Sequence, residues 1–437
     1  MRIPGHWYNL VNMKTKNSNI LIVHNAIQML TLAGGPQRGN LLGELGILEN
    51  GAVVIEDGHI LAVGDCNELL RTYPDADRYD AEGKVVMPGF VDPHTHLVWA
   101  GDRADEFSLR LQGKPYLEIL AMGGGILSTV CATRAASIER LVEESLPRAR
   151  AAFRYGTTTM EAKTGYGLTL ESEIKQLEAV LRLNQEGPIE LIPTFLGAHA
   201  IPTEFKDRPD DFVDLLCEEM IPGVYTWWQS KAPEQPLPFV DVFCERGAFN
   251  LAQSRRILET AKDFGFPLKI HADEFENLGG AALAAELGAV SADHLVKTSQ
   301  EDIETLARSE TVAVSLPGTP FGLNENEYTP AKALIAADAI LALATDSNPG
   351  TSWCESMQFM LALACRKMGL TPDEAIAAAT INAATALGIQ DRVGSIEPGK
   401  QADLIILTVN NYQHLGYRFG TNLVSTVIKR GRIFPVC

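Results

Sequence analysis

The sequence predicts an α/β protein, a (β/α)₈ barrel of the TIM type with a small β-sandwich domain built from both chain ends. Eight short β-branched or apolar runs recur through the middle of the chain, and most precede a segment with helical spacing. Both ends of the chain show β-like alternation instead. The predicted boundaries are 1–84 and 393–437 for the two parts of the small domain and 85–392 for the barrel.

The predicted small domain begins after a loosely ordered lead-in, residues 1–18. GAVVIEDGHILAVGD alternates apolar and polar residues around Asp57-Gly58, a dipeptide typical of hairpin turns. QADLIILTV and STVIKRGRIF near the C-terminus have the same character. Because both ends are β-rich and flank a long middle of another kind, we expect them to pair in one small sheet domain.

The predicted barrel strands are separated by segments that carry helix signals. TPDEAIAAATINAATALG has Thr371 as N-cap, Pro372 at the first helical position and Glu374 to close a capping box. SIERLVEESLPRARAAFRYG and LESEIKQLEAVLRLNQEG have helical spacing and a glycine at the end. The eight predicted strands are VVMPGFVD, TTTMEAK, IELIPTFLGAH, FVDVFCE, LKIHAD, SADHL, TVAVSLPG and ILALATD.

Charge and cysteine content restrict the possible partners and location. Lysine and arginine number 37 against 55 aspartates and glutamates, a net charge of −18, which disfavours nucleic acid and anionic membranes as partners. An anionic substrate would therefore need a local cation. The 7 cysteines are scattered and never form C-x-x-C, and no membrane span or signal-peptide core is evident. These features predict a cytoplasmic protein without a cysteine zinc site.

Polar residues gather at the ends of the predicted strands. The C-terminal ends of barrel strands converge on the active site, so these side chains are expected to lie together. They are His94, His96, Glu161, Lys163, His199, Cys244, Glu245, His271, Glu274, His294 and Asp346.

Four of these residues predict a metal site. His94 and His96 alternate along a strand and so share a face, although the pair alone is equally consistent with two hydrogen-bonded histidines. His271 and Asp346 from other strand ends favour a metal. Three imidazoles and one carboxylate suit one zinc or iron ion that activates water. Lys163 could be modified into a bridging ligand for a second ion, but a salt bridge is favoured.

Other candidate groups carry weaker signals. Gly123-Gly124-Gly125 lacks a preceding strand and a following Lys-Ser/Thr, so we expect a mobile loop near the barrel mouth rather than a phosphate site. Cys244 is expected to be a small core residue rather than a nucleophile. The remaining histidines are expected at the surface or in packing roles: His6, His24, His59 and His414.

PGFVDPHTH, HADE and ATDSNPGT resemble the amidohydrolase superfamily of metal-dependent barrel hydrolases. Further segments resemble the branch that hydrolyses 4-imidazolone-5-propanoate to N-formimidoyl-glutamate in histidine degradation. The resemblance covers nearly the whole chain from about residue 20, with LGYRFGTN a looser fit. The segments are PHTHLVWAGDRADEFSLRLQGKPYLEI, GGGILSTV, KTGYGL, FLGAHAIP, HADEFENLGGAALAAELGAVSADHL and LPGTPFGLNENEYTPAK.

The resemblance implies metal ligands at His94, His96, His271 and Asp346, and a homodimer. It implies substrate contacts from Arg103, Tyr166, His199, Glu274, His294, Asn348, Gly350 and Thr351.

Each of these residue types suits a task in ring opening. Arg103 presents a fork of donors that matches the propionate carboxylate. Asp346 is expected to relay the proton of the attacking water, and His294 to stabilise the oxyanion. Glu274 could bind a ring N–H or move protons, and His199 could steady the substrate.

Three other functions remain open at this point. A cytosine- or guanine-type deaminase uses similar elements but needs no carboxylate clamp, against which Arg103 and Tyr166 argue. A two-metal cyclic amidase would need Lys163 or Glu161 as a bridge. A catalytically inactive barrel could serve as a binding scaffold, but the intact set of four ligands disfavours it.

Overall fold

The structure, a computed structural model, describes residues 19–114 and 124–436. The lead-in at residues 1–18, His6 and Gly123 lie outside the described residues, so the expectations for them stay predictions. Two sheets dominate the described part of the chain, each with eight strands. One is the predicted parallel barrel and the other joins the chain ends.

The barrel strands follow one another around the sheet in chain order, and neighbouring strands are parallel. All eight predicted runs contribute a strand, so the predicted barrel is confirmed. The strands are Phe90–Asp92, Thr157–Lys163, Glu190–Ala198, Phe239–Cys244, Lys269–Ala272, Ser291–His294, Val312–Ser315 and Leu341–Leu343.

Backbone hydrogen bonds between the ends of the first and last strands close the barrel. The N–H of Asp346 donates to the carbonyl of His94 over 3.0 Å, and that of His96 donates to the carbonyl of Ser347 over 2.9 Å. Below them, the N–H and hydroxyl of Thr345 both donate to the carboxylate of Asp92. The backbone of the predicted ligands His94, His96 and Asp346 therefore takes part in the seam of the barrel.

Helices surround the barrel, and polar caps start several of them. The predicted capping box at Thr371 and Glu374 is present, and Asn250 with Gln253 forms another. The main helices are Ala104–Leu111, Ile126–Ala135, Ile138–Arg154, Leu170–Glu186, Pro209–Leu215, Ile221–Lys231, Leu251–Asp263, Gly280–Leu287, Gln300–Ala307, Ala331–Ala336, Met357–Lys367 and Pro372–Ala378. Other helical segments are Gly39–Leu41, Cys66–Thr72, Thr203–Phe205, Leu216–Met220, Gly318–Gly322, Ile381–Thr385 and His414–Tyr417.

The segment TPDEAIAAATINAATALG forms two helices rather than one. Pro372–Ala378 ends before Thr380, and Ile381–Thr385 follows. The hydroxyl of Thr380 donates to the carbonyl of Ile376 over 2.7 Å, a side-chain bond that competes with the helical backbone pattern.

The second sheet confirms that the chain ends pair. Leu404–Leu407 runs antiparallel to Val85–Pro88, which joins the N-terminal strands to the C-terminal ones. Side chains from both ends, including Leu21, Val53 and Ile428, share one core, so the sheet folds over on itself. In sheet order the strands are Arg432–Pro435, Val424–Lys429, Leu404–Leu407, Val85–Pro88, Ile20–Leu30, Ile47–Glu56 and His59–Asp65, with Asp77–Asp80 also paired to Ile20–Leu30.

The run VVMPGFVD is divided between the two sheets. Val85–Pro88 belongs to the small sheet and Phe90–Asp92 to the barrel. Gly89 separates them where the chain passes close to Thr158, whose side chain would lie 2.3 Å from a Cβ at this glycine. The small sheet therefore extends four residues beyond position 84.

An ionic cluster joins the small sheet to the end of the barrel opposite the predicted site. Glu190, the first residue of its strand, accepts hydrogen bonds from Arg392, Lys429 and Arg430. Lys429 also donates to Asp403 over 2.6 Å.

Across the described ranges, the structure contains no helix of the length and apolarity that a bilayer crossing requires.

Candidate metal centre and substrate cavity

His94 and His96 project into the barrel mouth just beyond the first strand. His94 Nδ1 lies 2.6 Å from Asp293 Oδ2, which directs its Nε2 towards the barrel axis. That Nε2 is buried and has no hydrogen-bond partner among the described residues. It lies 3.6 Å from Asp346 Oδ1, and His96 Nε2 lies 3.5 Å from the same oxygen. Nε2 of His271 completes the group, 3.5 Å from His96 Nε2.

Three of the separations among these four groups fit a metal ion. Bonds of about 2.0–2.1 Å in tetrahedral geometry place neighbouring ligand atoms roughly 3.3 Å apart. The observed separations of 3.5–3.6 Å are close to that value. Burial holds the pKa of His94 and of His96 well below the usual range, so both imidazoles are neutral, as coordination requires. Three imidazoles and a carboxylate therefore form a donor set suitable for zinc or iron.

Outer groups orient the candidate ligands. His271 Nδ1 lies 2.9 Å from Asp241 Oδ2, as His94 does from Asp293. The second oxygen of Asp346 accepts the hydroxyl of Thr319 over 2.5 Å. Carboxylates behind the imidazoles fix the ring orientation and raise ligand basicity. Burial raises the pKa of Asp346 to about 6.

Lys163 takes part in a buried ionic network beneath the candidate ligands. Its Nζ donates to Glu161 over 2.9 Å and to Asp241 over 2.7 Å, and lies 3.7 Å from Asp293. Lys269 donates to the other oxygen of Glu161. Burial alone would lower the pKa of Lys163, but the carboxylates raise it above its usual value. An ammonium group cannot coordinate a metal, so Lys163 forms the salt bridge that the sequence favoured.

His199 and Tyr166 lie over the candidate ligands. The ring of His199 stacks on that of His96, with 4.8 Å between centroids and 15° between planes. The ring of Tyr166 is 5.3 Å from that of His199 and 5.8 Å from that of His96. Burial lowers the pKa of His199 to about 3, so this imidazole is neutral. The two side chains form one wall of the cavity.

His294 and Glu274 form another part of the cavity wall. The ring centroid of His294 is 5.2 Å from that of His271, and its Nε2 is 3.7 Å from a carboxyl oxygen of Glu274. Burial, aided by the charge of Asp346, raises the pKa of Glu274 well above its usual range. The backbone φ of His294 is 80°, a costly value for a side chain of this size and one that clusters at functional sites.

Arg103 is held by Glu106. Its Nε donates to Glu106 Oε2 over 2.9 Å, and its Nη2 donates to the other oxygen. Only 13% and 7% of the two side chains are exposed, so the ion pair is largely buried. Nη1 of Arg103 faces Gly350, where a Cβ would lie 2.3 Å away. One edge of the guanidinium is thus occupied, and the other meets the loop after the last strand.

Asn348 organises that loop through its own side chain. Its Oδ1 accepts the N–H of Gly350 over 2.8 Å and of Thr351 over 2.9 Å, and its Nδ2 donates to the carbonyl of Asp346 over 2.7 Å. These polar groups therefore bond to one another, and their contact with substrate stays a prediction.

The sequence reasoning missed Asp241, Asp293 and Thr319. An aspartate inside each of the apolar runs FVDVFCE and SADHL was an available signal, since a buried charge needs a partner. No comparable signal marks Thr319.

Cys244 is buried and its pKa is raised to about 11 by burial, which disfavours a nucleophilic thiolate. His24, His59 and His414 are exposed or partly exposed.

Comparisons with known proteins show the family of this chain. The sequence model of the Amidohydrolase family matches residues 85–434, and that of the imidazolonepropionase-like composite domain of bacteria matches residues 51–76. The imidazolonepropionase of Herpetosiphon aurantiacus is 52% identical over 412 residues, 94% of this chain and 96% of that protein. The imidazolonepropionase of Geobacillus kaustophilus is 50% identical over 420 residues, 94% of this chain and 97% of that protein.

Solved structures of low identity share the fold. Escherichia coli guanine deaminase has a TM-score of 0.67 at 15% identity, covering 96% of this chain and 99% of that chain. The 5-methylcytosine deaminase of Klebsiella pneumoniae has a TM-score of 0.69 at 16% identity, covering 94% of this chain and 97% of that chain. At such identities the likeness concerns the fold alone.

Proposed function

The chain belongs to the amidohydrolase family, and within it to the imidazolonepropionases, and on this premise we propose that it hydrolyses the ring amide of 4-imidazolone-5-propanoate to N-formimidoyl-L-glutamate in histidine catabolism. The observation that carries the proposal is 52% identity to an imidazolonepropionase over 94% of the chain. Two overlapping buried groups at the barrel mouth support it: His94 with His96 and Asp346, and His94 with His271 and His294.

The amidohydrolase family is metal-dependent, and the proposed cofactor is one zinc or iron ion per chain. His94, His96, His271 and Asp346 would hold it, since their donor atoms lie at the spacing of a common ion. When bound, such an ion lowers the pKa of water towards neutrality and polarises a carbonyl group. Lys163 supports a single ion, because it is held as ammonium by carboxylates.

The proton transfers are assigned to buried groups of the chain. Asp346 takes the proton of the attacking water on a carboxylate oxygen and relays it to the departing ring nitrogen. His294, whose Nδ1 has no hydrogen-bond partner among the described residues, stabilises the oxygen of the tetrahedral intermediate. Glu274 lies beside His294 and, with its raised pKa, can hold a proton to donate to the ring or accept a ring N–H when ionised.

The substrate carboxylate is assigned to Arg103. A chain with a net charge of −18 repels an anion at long range, so binding requires a local cation. Glu106 occupies the Nε and Nη2 edge of the guanidinium, and Nη1, which faces Gly350, is the donor proposed to bind the propionate. Tyr166 and His199 cover the ring, and the loop of Asn348, Gly350 and Thr351 borders the tail.

The alternative of a cytosine- or guanine-type deaminase has less support. The guanine deaminase and the 5-methylcytosine deaminase that share the fold are only 15–16% identical. A deaminase also has no need of a buried arginine, whereas a propionate substrate does. A two-metal amidase is disfavoured by the ionic contacts of Lys163.

We further propose that the enzyme acts as a cytoplasmic homodimer on a small anionic imidazolone, without nucleic acid or membrane as partner. The net charge of −18 supports the exclusion of polyanions. The cysteines in the described ranges are all free thiols, which fits a reducing compartment.

Purification without added metal, followed by elemental analysis and an ultraviolet assay of imidazolone propanoate loss, tests the proposal. We expect one zinc or iron ion per active chain and hydrolysis of the substrate. Two metal ions per active chain would indicate that Lys163 or Glu161 is a metal ligand. Deamination of cytosine or guanine without ring hydrolysis would establish the alternative.

A further inference from the structure

Two loops at the barrel mouth are each held by a buried glutamate that accepts several backbone N–H groups. We infer that Glu173 and Glu245 are positioning residues of the reaction, Glu173 for the wall formed by Tyr166 and His199, and Glu245 for Glu274. The inference rests on the proposed function for its kinetic readout, but its structural readout is independent of it.

Glu173 lies in the first turn of the helix Leu170–Glu186 and is fully buried. Its Oε1 accepts the N–H of Gly167 over 2.7 Å and of Leu168 over 2.6 Å. Its Oε2 accepts the N–H of Gly165 over 2.9 Å. One carboxylate therefore binds the backbone on both sides of position 166.

The loop that Glu173 holds supports two proposed substrate contacts. Tyr166 lies between the bonded glycines, and its own N–H donates to Gln176 over 3.2 Å. The carbonyl of Gly165 lies 3.0 Å from His199 Nδ1. Gly165 has a φ of +105°, and a Cβ there would lie 2.7 Å from the same nitrogen. A shift of this loop would therefore move both Tyr166 and His199.

Glu245 performs the equivalent task for the loop after the fifth barrel strand. Its Oε2 accepts the N–H of Phe275 over 2.9 Å and of Glu276 over 3.3 Å, and its Oε1 accepts the N–H of Arg246 over 2.8 Å. Only 3% of Glu245 is exposed. Phe275 and Glu276 directly follow Glu274, so this carboxylate fixes the backbone from which Glu274 enters the cavity.

Each of the two glutamates faces three backbone N–H donors, which favour a carboxylate over an amide. Burial raises the pKa of Glu173, and the backbone N–H groups oppose that rise. A buried charge is costly unless hydrogen bonds satisfy it, and backbone N–H groups supply them here. Glutamine has nearly the same shape, but its NH₂ group would face an N–H donor and lose at least one bond. A hydrogen bond to a charged group shifts the equilibrium between the bonded and the unbonded loop about tenfold or more. Glu173→Gln and Glu245→Gln therefore remove the contact without creating a cavity.

The two substitutions are expected to have different kinetic effects on imidazolone propanoate hydrolysis by the metal-loaded enzyme. Glu173→Gln should raise KM about tenfold with a smaller change in kcat, because Tyr166 and His199 bind the substrate. Glu245→Gln should lower kcat about tenfold with a smaller change in KM, because Glu274 acts on protons during the reaction.

Glu190→Gln is the matched control. Glu190 is also a largely buried glutamate with several donors, but it lies at the opposite end of the barrel. Its replacement should lower thermal stability and leave KM and kcat near those of the unmodified enzyme.

Hydrogen exchange of the loop amides provides the readout that does not depend on activity. Glu173→Gln should speed exchange at Gly165, Gly167 and Leu168, and Glu245→Gln at Phe275 and Glu276. Accelerated exchange at these amides supports the inference even if the unmodified protein does not hydrolyse the substrate, a result that would refute only the proposed function.

Two results would overturn the inference. One is a folded Glu173→Gln or Glu245→Gln enzyme with unchanged KM, kcat and loop exchange. The other is an equal loss of activity in both variants and in the Glu190→Gln control, since this would indicate general destabilisation. If a glutamine variant does not fold, the aspartate variant, which keeps the charge on a shorter side chain, is tested against the same expectations.

Discussion

Replacing Lys163 by methionine would leave one ammonium group among three buried carboxylates under the candidate metal centre. The network holds two ammonium groups, of Lys163 and Lys269, and three carboxylates, of Glu161, Asp241 and Asp293. All five side chains are fully buried. Removing one partner of a buried ion pair costs about 3–5 kcal/mol because the other charge is left uncompensated. Lys163 bonds two carboxylates, so we expect a loss near the upper end of that range.

The same substitution should weaken metal binding indirectly. Asp241 contacts both Lys163 Nζ and His271 Nδ1, so its displacement would disturb the orientation of a ligand. Loss of such outer contacts typically lowers metal affinity about 10–100-fold. Urea unfolding of the metal-loaded protein measures the free energy of unfolding, and elemental analysis after dialysis measures the retained metal.

Lys175→Met serves as the matched control for Lys163→Met. Lys175 is partly rather than fully buried, and its Nζ donates to the carbonyls of Thr133, Arg134 and Ala136 rather than to carboxylates. We expect a smaller loss of stability, about 1–3 kcal/mol, and no change in metal content. The reasoning is refuted if Lys163→Met keeps its stability and releases one of two bound ions, since Lys163 would then be a metal ligand.

Three further predictions concern single side chains. Arg103→Met should lower kcat/KM about 10–100-fold, chiefly through KM, because Nη1 is the one nitrogen that Glu106 leaves for the propionate. Arg103→Lys should recover only part of the loss. An unchanged KM in both variants, measured by steady-state kinetics, would place the carboxylate elsewhere. Asp346→Asn should lower kcat about 10²–10⁴-fold in metal-replete protein, and near-normal kcat with metal retained would exclude the proton relay. Burial favours protonation of Glu190, but Lys429 and Arg392 lower its pKa to about 2. Its charge therefore stabilises the folded state above about pH 4.5 and ceases to do so as the pH falls towards 2. Glu190→Gln should lower the free energy of unfolding by up to about 3 kcal/mol at neutral pH and by progressively less in acid. Denaturant titrations from pH 7 to pH 3 that show a constant difference would contradict this.

The barrel and its candidate ligands could be predicted because they follow from local patterns. A short apolar run that ends in an imidazole or a carboxylate indicates both a barrel strand and which end of that strand lies at the mouth of the barrel, as in LKIHAD. The division of VVMPGFVD could not be predicted in the same way. Both halves are apolar and buried, and only the position of Thr158 and the small sheet separates them at Gly89.

The outer contacts of the site depend on distances that no local pattern contains. Asp241 and Asp293 stand in apolar runs, but their partners His271 and His94 come from other strands. The burial of the pair Arg103–Glu106 likewise depends on neighbours that the loop sequence does not show. The hydrogen bonds that the Asn348 side chain accepts from the backbone of its own turn likewise become visible only in the folded chain.

The closure of the barrel has a consequence for the order in which the protein is assembled. Asp92 and Thr345, which bond across the seam, are 253 positions apart in the chain. During synthesis the segment with His94 and His96 emerges long before Asp346, so the donor set is incomplete until nearly the whole barrel has been made. Contacts of such sequence separation form late, because loop-closure entropy opposes them. The metal ion would thus bind near the end of folding. Its binding would stabilise the pairing of the first and last barrel strands, whose residues are farthest apart in the chain. A nascent chain that stops before Leu341–Leu343 should neither close the barrel nor retain an ion.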